Sequence, residues 1–165
     1  IGTGIGGCLI MDGKVFHGFS NSACEVGYMH MQDGAFQDLA STTALVKYVA
    51  EAHGEDVDQW NGRRIFKEAT EGNKICMEGI DRMVDYLGKG LANICYVANP
   101  EVVILGGGIM GQEAILKPKI RKALKEALVP SLAEKTRLEF AYHQNTAGML
   151  GAYYHFILNE NQRAN

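Results

Sequence analysis

The groups in this chain best placed to do chemistry are backbone amides bared by glycine. Residues 99–110 read NPEVVILGGGIM. The apolar run Val102-Val103-Ile104-Leu105 suits a strand buried on both faces of a sheet. Gly106-Gly107-Gly108 follow at once, and Ile109-Met110-Gly111 lead into a helical pattern. A strand that runs into glycines and then a helix lets main chain approach a ligand closely, with helix N–H groups nearby. A second stretch of this kind, Gly2-Thr3-Gly4-Ile5-Gly6-Gly7, stands at the other end of the chain. One glycine turn is most often only a tight turn; two of them can close on one ligand from two sides. Neither is a P-loop, because the lysine of GxxxxGK[ST] is absent, and GGGIMG does not match GxGxxG.

Local patterns predict the elements that position these turns. Residues 6–19 read as a β-hairpin, with Cys8-Leu9-Ile10-Met11 and Lys14-Val15-Phe16 flanking the turn dipeptide Asp12-Gly13. Residues 18–24 are a small-residue loop. The segment 25–31 alternates as a strand would, with Tyr28 and His30 on one face. Residues 32–38 read as a short connection. Ser41 or Thr42 caps a helix carrying Leu45, Val46 and Val49 that stops at Gly54, and Asn61 caps one with Ile65, Phe66 and Ala69 that ends at Gly72. The longest helix is expected over about 74–97, with Ile80, Met83, Val84, Leu87, Leu91, Ile94 and Cys95 at helical spacing. That stripe reads as core or a dimer contact. Gly88 and Gly90 within it each cost about 1 kcal/mol against alanine, which a close approach to a neighbour would offset. Residues 115–128 form another amphipathic helix, in which Pro118 is tolerable only as a starting residue. Residues 137–141 are a second central strand. Thr146 caps a last helix over 147–158, whose run Tyr153-Tyr154-His155-Phe156 is expected to dock it, before a polar tail over 159–165. Strands mixed with helices and no internal repeat or linker give an α/β class.

The totals exclude several functions. At 165 residues, 47% of them apolar, the chain has the size and composition of one domain. A net charge of −3 and a pI near 6.0 make no case for nucleic acid or an anionic membrane. No apolar run has the length of a membrane span, and no basic n-region with an apolar h-region opens the chain. Cys8, Cys24, Cys76 and Cys95 have no short spacing and adjoin apolar sequence, so they read as buried free thiols of a cytoplasmic protein. A chain that opens on Ile1 directly before a ligand turn reads as a piece of a longer protein. His53, His143 and His155 have no motif partners, and Trp60 with Arg63 and Arg64 reads as local packing.

Several motifs in this order resemble one family. They are Ile1-Gly2-Thr3-Gly4-Ile5-Gly6-Gly7 with the Asp12-Gly13 hairpin, Glu25-Val26-Gly27, the 99–109 stretch NPEVVILGGGI, and Ala147-Gly148-Met149-Leu150-Gly151-Ala152. Together they are similar to the ROK family of bacterial sugar kinases and repressors. The resemblance covers nearly the whole chain and implies the actin/hexokinase-like (ribonuclease H-like) ATPase fold, with residues 1–165 as the C-terminal lobe. It implies that Gly2, Thr3 and Gly4 hold ATP phosphates, and that Gly106, Gly107 and Gly108 lie on the adenosine side, where a side chain would collide with nucleotide. Glu25 would accept hydrogen bonds from sugar hydroxyls. The expected activity is transfer of a phosphoryl group from ATP, with Mg²⁺, to a hexose or hexose derivative, in the manner of a glucokinase. The expected partners are the sugar, ATP and a second copy of the chain in a homodimer. The alternative is the sugar-sensing domain of a repressor without kinase turnover.

Departures from the family pattern carry their own expectations. The family has a histidine, touching sugar and zinc, where this chain has Tyr28, which could donate to a sugar hydroxyl or only pack. The family's cysteine cluster is replaced by Gly34-Ala35-Phe36-Gln37-Asp38, so no structural zinc is expected and His30 reads as a solvent-facing or hydrogen-bonding residue, not a metal ligand. Gln37 or Asp38 falls near the position of a further sugar-binding glutamate. The family's catalytic aspartate, in an Asn-Asp motif, and its DxGGT turn are absent here. Phosphoryl transfer needs a positioned base, so no catalytic residue is assigned and this stretch alone is expected to be inactive.

Overall fold

The computed structural model describes residues 1–143 and 146–163, the last six of these by backbone alone. An irregular glycine segment leads into a hairpin of β1 (Ile10–Met11) and β2 (Lys14–Val15). Asp12 and Gly13 turn it with φ of 52° and 74°, the paired positive values that a two-residue hairpin turn requires. A second hairpin pairs β3 (His30–Met31) with β4 (Gly34–Ala35). Then come α1 (Phe36–Ala40), α2 (Thr42–His53), α3 (Gly62–Thr70) and α4 (Lys74–Ala98). The last part comprises β5 (Val102–Leu105), α5 (Glu113–Ala127), the single turn α6 (Pro130–Ala133), β6 (Arg137–Phe140) and α7 (Ala147–Arg163). β5 and β6 pair in parallel, from Val102 opposite Arg137 to Leu105 opposite Phe140, with α5 in the crossover that parallel pairing requires.

α4 is the post on which α1, α2, α3 and α5 pack. Ile80, Met83, Val84, Leu87, Leu91 and Cys95 are buried along it. The caps are those the side chains suggest: Ser41 accepts from the Ala44 N–H, Asn61 from Arg64 and Asn73 from Cys76, while Gly54 ends α2 at φ 68°. The helical glycines are explained by close approach. A Cβ on Gly88 would stand 2.7 Å from the Cβ of Ala123 on α5, and one on Gly90 would run into the Phe36 ring. Seating the fully buried Phe36 on Gly90 fixes α1 against α4.

Several expectations are corrected. β5 is not buried on both faces: Ile104 is 62% exposed and only Leu105 is buried. Residues 25–31 are not one strand. Val26–Tyr28 form a 3-10 turn, and extended pairing starts at His30, so Tyr28 and His30 do not share a strand face. The supposed connection 32–38 contains β4 and the start of α1. Pro118 lies inside α5, not at its start. The bond it denies is to the carbonyl of Ala114, an exposed residue that water can reach. Cys76 and Cys95 are buried, but Cys8 is exposed and Cys24 half-buried. The Thr146 hydroxyl donates to the His143 carbonyl. α7 runs to Arg163, through much of the expected tail, and Ala164 and Asn165 lie outside the described residues. Three residues of its aromatic run are largely exposed: Tyr153, Tyr154 and Phe156, at 60%, 63% and 59%.

Candidate functional site

Close backbone contacts draw the sequence-predicted pieces together. The Ile1 nitrogen donates to the Gly106 carbonyl at 2.6 Å. A Cβ on Gly107 would overlap the Ile1 carbonyl, and Gly107 has φ +109°, so no other residue fits there without strain. The two glycine turns, a hundred residues apart in sequence, are therefore neighbours. The first turn closes on itself through Gly2 N–H to the Gly4 carbonyl at 3.0 Å. It is laid on the start of α2, whose Thr42 N–H donates to the Gly2 carbonyl at 2.9 Å.

The Glu25 segment is tied to the same turn. A Cβ on Gly27 would overlap the Ile5 carbonyl oxygen, and one on Gly7 would stand 2.8 Å from the Cys24 carbonyl oxygen. Cys24 enters this segment in the left-handed region, at φ 65°, which a non-glycine residue seldom occupies. Between these pieces sits Gln37, whose Oε1 lies 2.8 Å from the site of a Cβ on Gly4 and 3.0 Å from that of Gly27. Asp38 is exposed and lines a different cavity, with Lys47, Tyr48 and Arg82. Of the two residues considered for a further contact, Gln37 is the one at the turns.

The junction leaves specific groups open. A Cβ on Gly2 would meet nothing within 4 Å. Among the described residues, the N–H groups of Thr3 and Gly4 meet no backbone carbonyl, and Thr3 is exposed. Free amides on a bare turn form an anion-binding concavity, and neither turn contributes a carboxylate to oppose an anion. Glu25, exposed at the head of the 3-10 turn, presents carboxylate acceptors, while its carbonyl takes the Tyr28 N–H at 3.2 Å. Tyr28 is 66% exposed, with its phenol free to donate or accept. Gly108 begins the 3-10 turn Gly108–Gly111, anchored by the buried Ile109 and Met110. Gly2, Thr3, Gly4, Gly106, Gly107, Glu25 and Tyr28 thus belong to one neighbourhood, joined through Ile1, Ile5 and Gly27. The structure separates two kinds of glycine in it: Gly7, Gly27 and Gly107 are demanded by protein backbone, whereas Gly4 meets only the movable end of the Gln37 side chain and Gly2 faces open space.

Sequence reasoning left His53 without a partner. In the structure its ring stacks on Trp60, with centroids 4.6 Å apart, and lies beside Glu68, Asn73 and Cys76. No spacing signal could reveal this, because the residues come from three helices and the turn between two of them. Trp60 is 4% exposed, with the Arg64 guanidinium over its ring, as local packing requires. No described helix is long and apolar enough to cross a membrane.

Comparison with known proteins finds a match to the ROK family over residues 1–158. A β-glucoside kinase of Listeria monocytogenes is 32% identical over 170 residues, a match covering 98% of this chain and 56% of the kinase. A xylose repressor of Caldicellulosiruptor bescii is 26% identical, covering 92% of this chain and 43% of the repressor. A Streptococcus pneumoniae ROK family protein crystallised with sucrose superposes with a TM-score of 0.86 at 34% identity, covering 98% of this chain and 57% of that one. A Streptomyces griseus ROK glucokinase, in complex with glucose and AMPPNP, gives 0.82 at 26% identity, covering 92% and 57%. The chain spans about half the length of these relatives. The fold is the α/β, actin/hexokinase-like ATPase fold of the ROK sugar kinases, of which this chain forms a part.

Proposed function

Starting from the chain's membership of the ROK family, we propose that residues 1–165 are the C-terminal lobe of a cytoplasmic, ATP-dependent sugar kinase acting on a hexose or hexose derivative. The observation that carries this reading is the seating of the Ile1–Gly4 turn on the Gly106–Gly107 turn, with open N–H groups at Thr3 and Gly4. The phosphates of ATP would lie on the first turn, held by the Thr3 and Gly4 amides and the Thr3 hydroxyl. The adenosine side would pass Gly106, Gly107 and Gly108. Mg²⁺ would arrive with the phosphates, since the turns supply only amides and a hydroxyl, and would neutralise charge on the transferred group. Glu25 would receive sugar hydroxyls as a carboxylate acceptor, with Tyr28 as a further hydrogen-bonding group. Gln37, between Gly4 and Gly27, would stand between the nucleotide and sugar sides. The base that takes the hydroxyl proton belongs to the remaining length of the protein, so the isolated chain is expected not to turn over.

A repressor's sensing domain is the second reading, favoured by the match to the xylose repressor. A pure sensor has no need of a turn bare enough to admit ATP, and Gly2 faces open space without a structural demand for glycine. The deciding experiment is ADP release by the full-length protein with glucose, mannose, N-acetylmannosamine, fructose and a β-glucoside, using residues 1–165 as control. Turnover on one sugar by the full protein alone supports the kinase and names its substrate. Sugar binding without ADP release overturns the kinase in favour of the sensor.

A further inference from the structure

A second cluster of chemistry-bearing side chains lies away from the glycine turns, where α2, α3 and α4 meet. His53 is the last residue of α2, Glu68 stands in the last turn of α3, and Cys76 in the first turn of α4. A ring nitrogen of His53, a carboxylate oxygen of Glu68 and the sulfur of Cys76 all lie within 4.8 Å of one another. The His53 ring is held by its stack on Trp60, at an interplanar angle of 22°, and Trp60 is itself fixed by donating from Nε1 to Glu55 at 2.9 Å. Glu68 takes the Arg64 Nε–H on Oε1 at 2.7 Å and the Asn73 amide on Oε2 at 2.8 Å. Alongside lies a cavity of about 650 Å³ lined by Arg64, Lys67, Glu68, Glu71, Gly72 and Asn73.

We propose that His53, Glu68 and Cys76 form a binding site for a divalent transition-metal ion of the zinc class. Imidazole, carboxylate and thiolate are the three zinc-ligating side-chain types, and a tetrahedral ion with bonds of about 2.0–2.3 Å holds its ligand atoms about 3.5 Å apart. Binding would draw the three ligand atoms, now within 4.8 Å of one another, together to that spacing by side-chain rotation. A thiolate and an imidazole together select against Mg²⁺ and Ca²⁺, which take oxygen ligands. Asn73 Nδ2 stands 3.4 Å from His53 Nε2, a long bond that is readily surrendered, while Oδ1 of the same residue continues to cap α4. Arg64 keeps Oε1 and leaves a lone pair of Oε2 for the ion, acting as the outer-shell partner that orients a ligating carboxylate. Burial, and after it the charge of Glu68, raises the Cys76 thiol, so it is protonated in the metal-free protein. Binding would release that proton to water as the S–metal bond forms. The fourth position would be water from the cavity side. An ion here would tie three helices together and stabilise the fold by mass action. The site lies apart from the shortened 34–38 connection and does not depend on the kinase reading.

The test is Co²⁺ titration of the full-length protein after chelator treatment. One bound Co²⁺ per chain should give a thiolate-to-cobalt charge-transfer band in the near ultraviolet, and Zn²⁺ should abolish it. Cys76→Ser should remove the band, whereas Cys8→Ser and Cys24→Ser should leave it. His53→Gln should weaken Zn²⁺ binding by at least the ~10–100-fold that loss of an outer-shell partner costs, and should remove the Zn²⁺-dependent rise in melting temperature. Absence of the band from the wild-type protein, its survival in Cys76→Ser, or unchanged Zn²⁺ affinity in His53→Gln would each overturn the site, leaving a capping network only. Should Cys76→Ser fail to fold, the wild-type titration and His53→Gln still decide.

Discussion

Replacing Gly2 by alanine separates what the first turn does for folding from what it does for nucleotide. A Cβ there would meet no atom within 4 Å, and Gly2 has no left-handed φ. The folded state therefore accepts the methyl group, and the unfolded chain loses freedom, which stabilises by about 0.4–1 kcal/mol. The methyl group projects into the open space at the turns, where the phosphates would approach the Thr3 amide. Losing one hydrogen bond to a charged group costs about 1.5–3 kcal/mol, and each 1.4 kcal/mol is a factor of ten. The KM for ATP should rise about 10- to 100-fold, with the KM for sugar unchanged and the melting temperature equal or higher. Gly107→Ala is the contrasting control: its φ of +109° and the overlap with Ile1 cost stability, by about 1–3 kcal/mol for the overpacking. The assays are thermal unfolding and ATP titration of ADP release, both on the full-length protein. Wild-type ATP dependence in Gly2→Ala would refute phosphate binding at this turn. A melting loss equal to that of Gly107→Ala would refute the open space.

Glu25→Gln keeps the shape but removes the charged acceptor, so the sugar KM should rise about 10- to 100-fold with ATP dependence unchanged; an unchanged sugar KM would remove Glu25 from the site. Gly90→Ala gains about 1 kcal/mol of helix propensity but drives a methyl group into the Phe36 ring, where overpacking costs about 1–3 kcal/mol. Thermal unfolding should therefore show a net loss, and a gain would mean that Phe36 can move aside. Burial raises the Cys95 thiol above its ordinary 9.0, so the folded state retains a proton that the unfolded chain sheds. That contribution is complete below pH 9.0 and is lost as pH rises beyond it. Denaturant unfolding between pH 8 and pH 10 should show a slope that Cys95→Ala flattens.

The helices were legible because their signals are local. Ser41 and Asn61 cap by reaching three residues ahead, as Asn73 also does, and the α4 stripe repeats at the helical period. The strands were less so. The run 102–105 has the composition of a strand covered on both sides, but Ile104 stands in solvent, since apolar composition does not say what covers a face. Likewise the aromatic run of α7 has the residues of a docked helix, and Tyr154 is 63% exposed. Residues 25–31 alternate as a strand would, but the carbonyl of Ile5 occupies the space over Gly27, and no window around Gly27 contains that fact.

The same limit explains what was seen and missed at the two sites. Glycine type alone pointed to close approach at residues 2–7 and 106–108, and the approach is real, but at Gly7 and Gly107 the approaching group is protein backbone. Gly107 makes room for Ile1, Gly27 for Ile5 and Gly4 for the Gln37 amide. A glycine bared for a neighbour and one bared for a ligand look alike in sequence, and the open space over Gly2 and Gly6 is what sets these two apart. His53, Glu68 and Cys76 are the converse case, residues of the right chemistry with no motif, because helix ends and not chain spacing bring them within 4.8 Å. Contacts made by the backbone leave glycines as their trace, whereas a cluster of side chains gathered at helix ends leaves none, so the first site could be found from the chain and the second only from the fold.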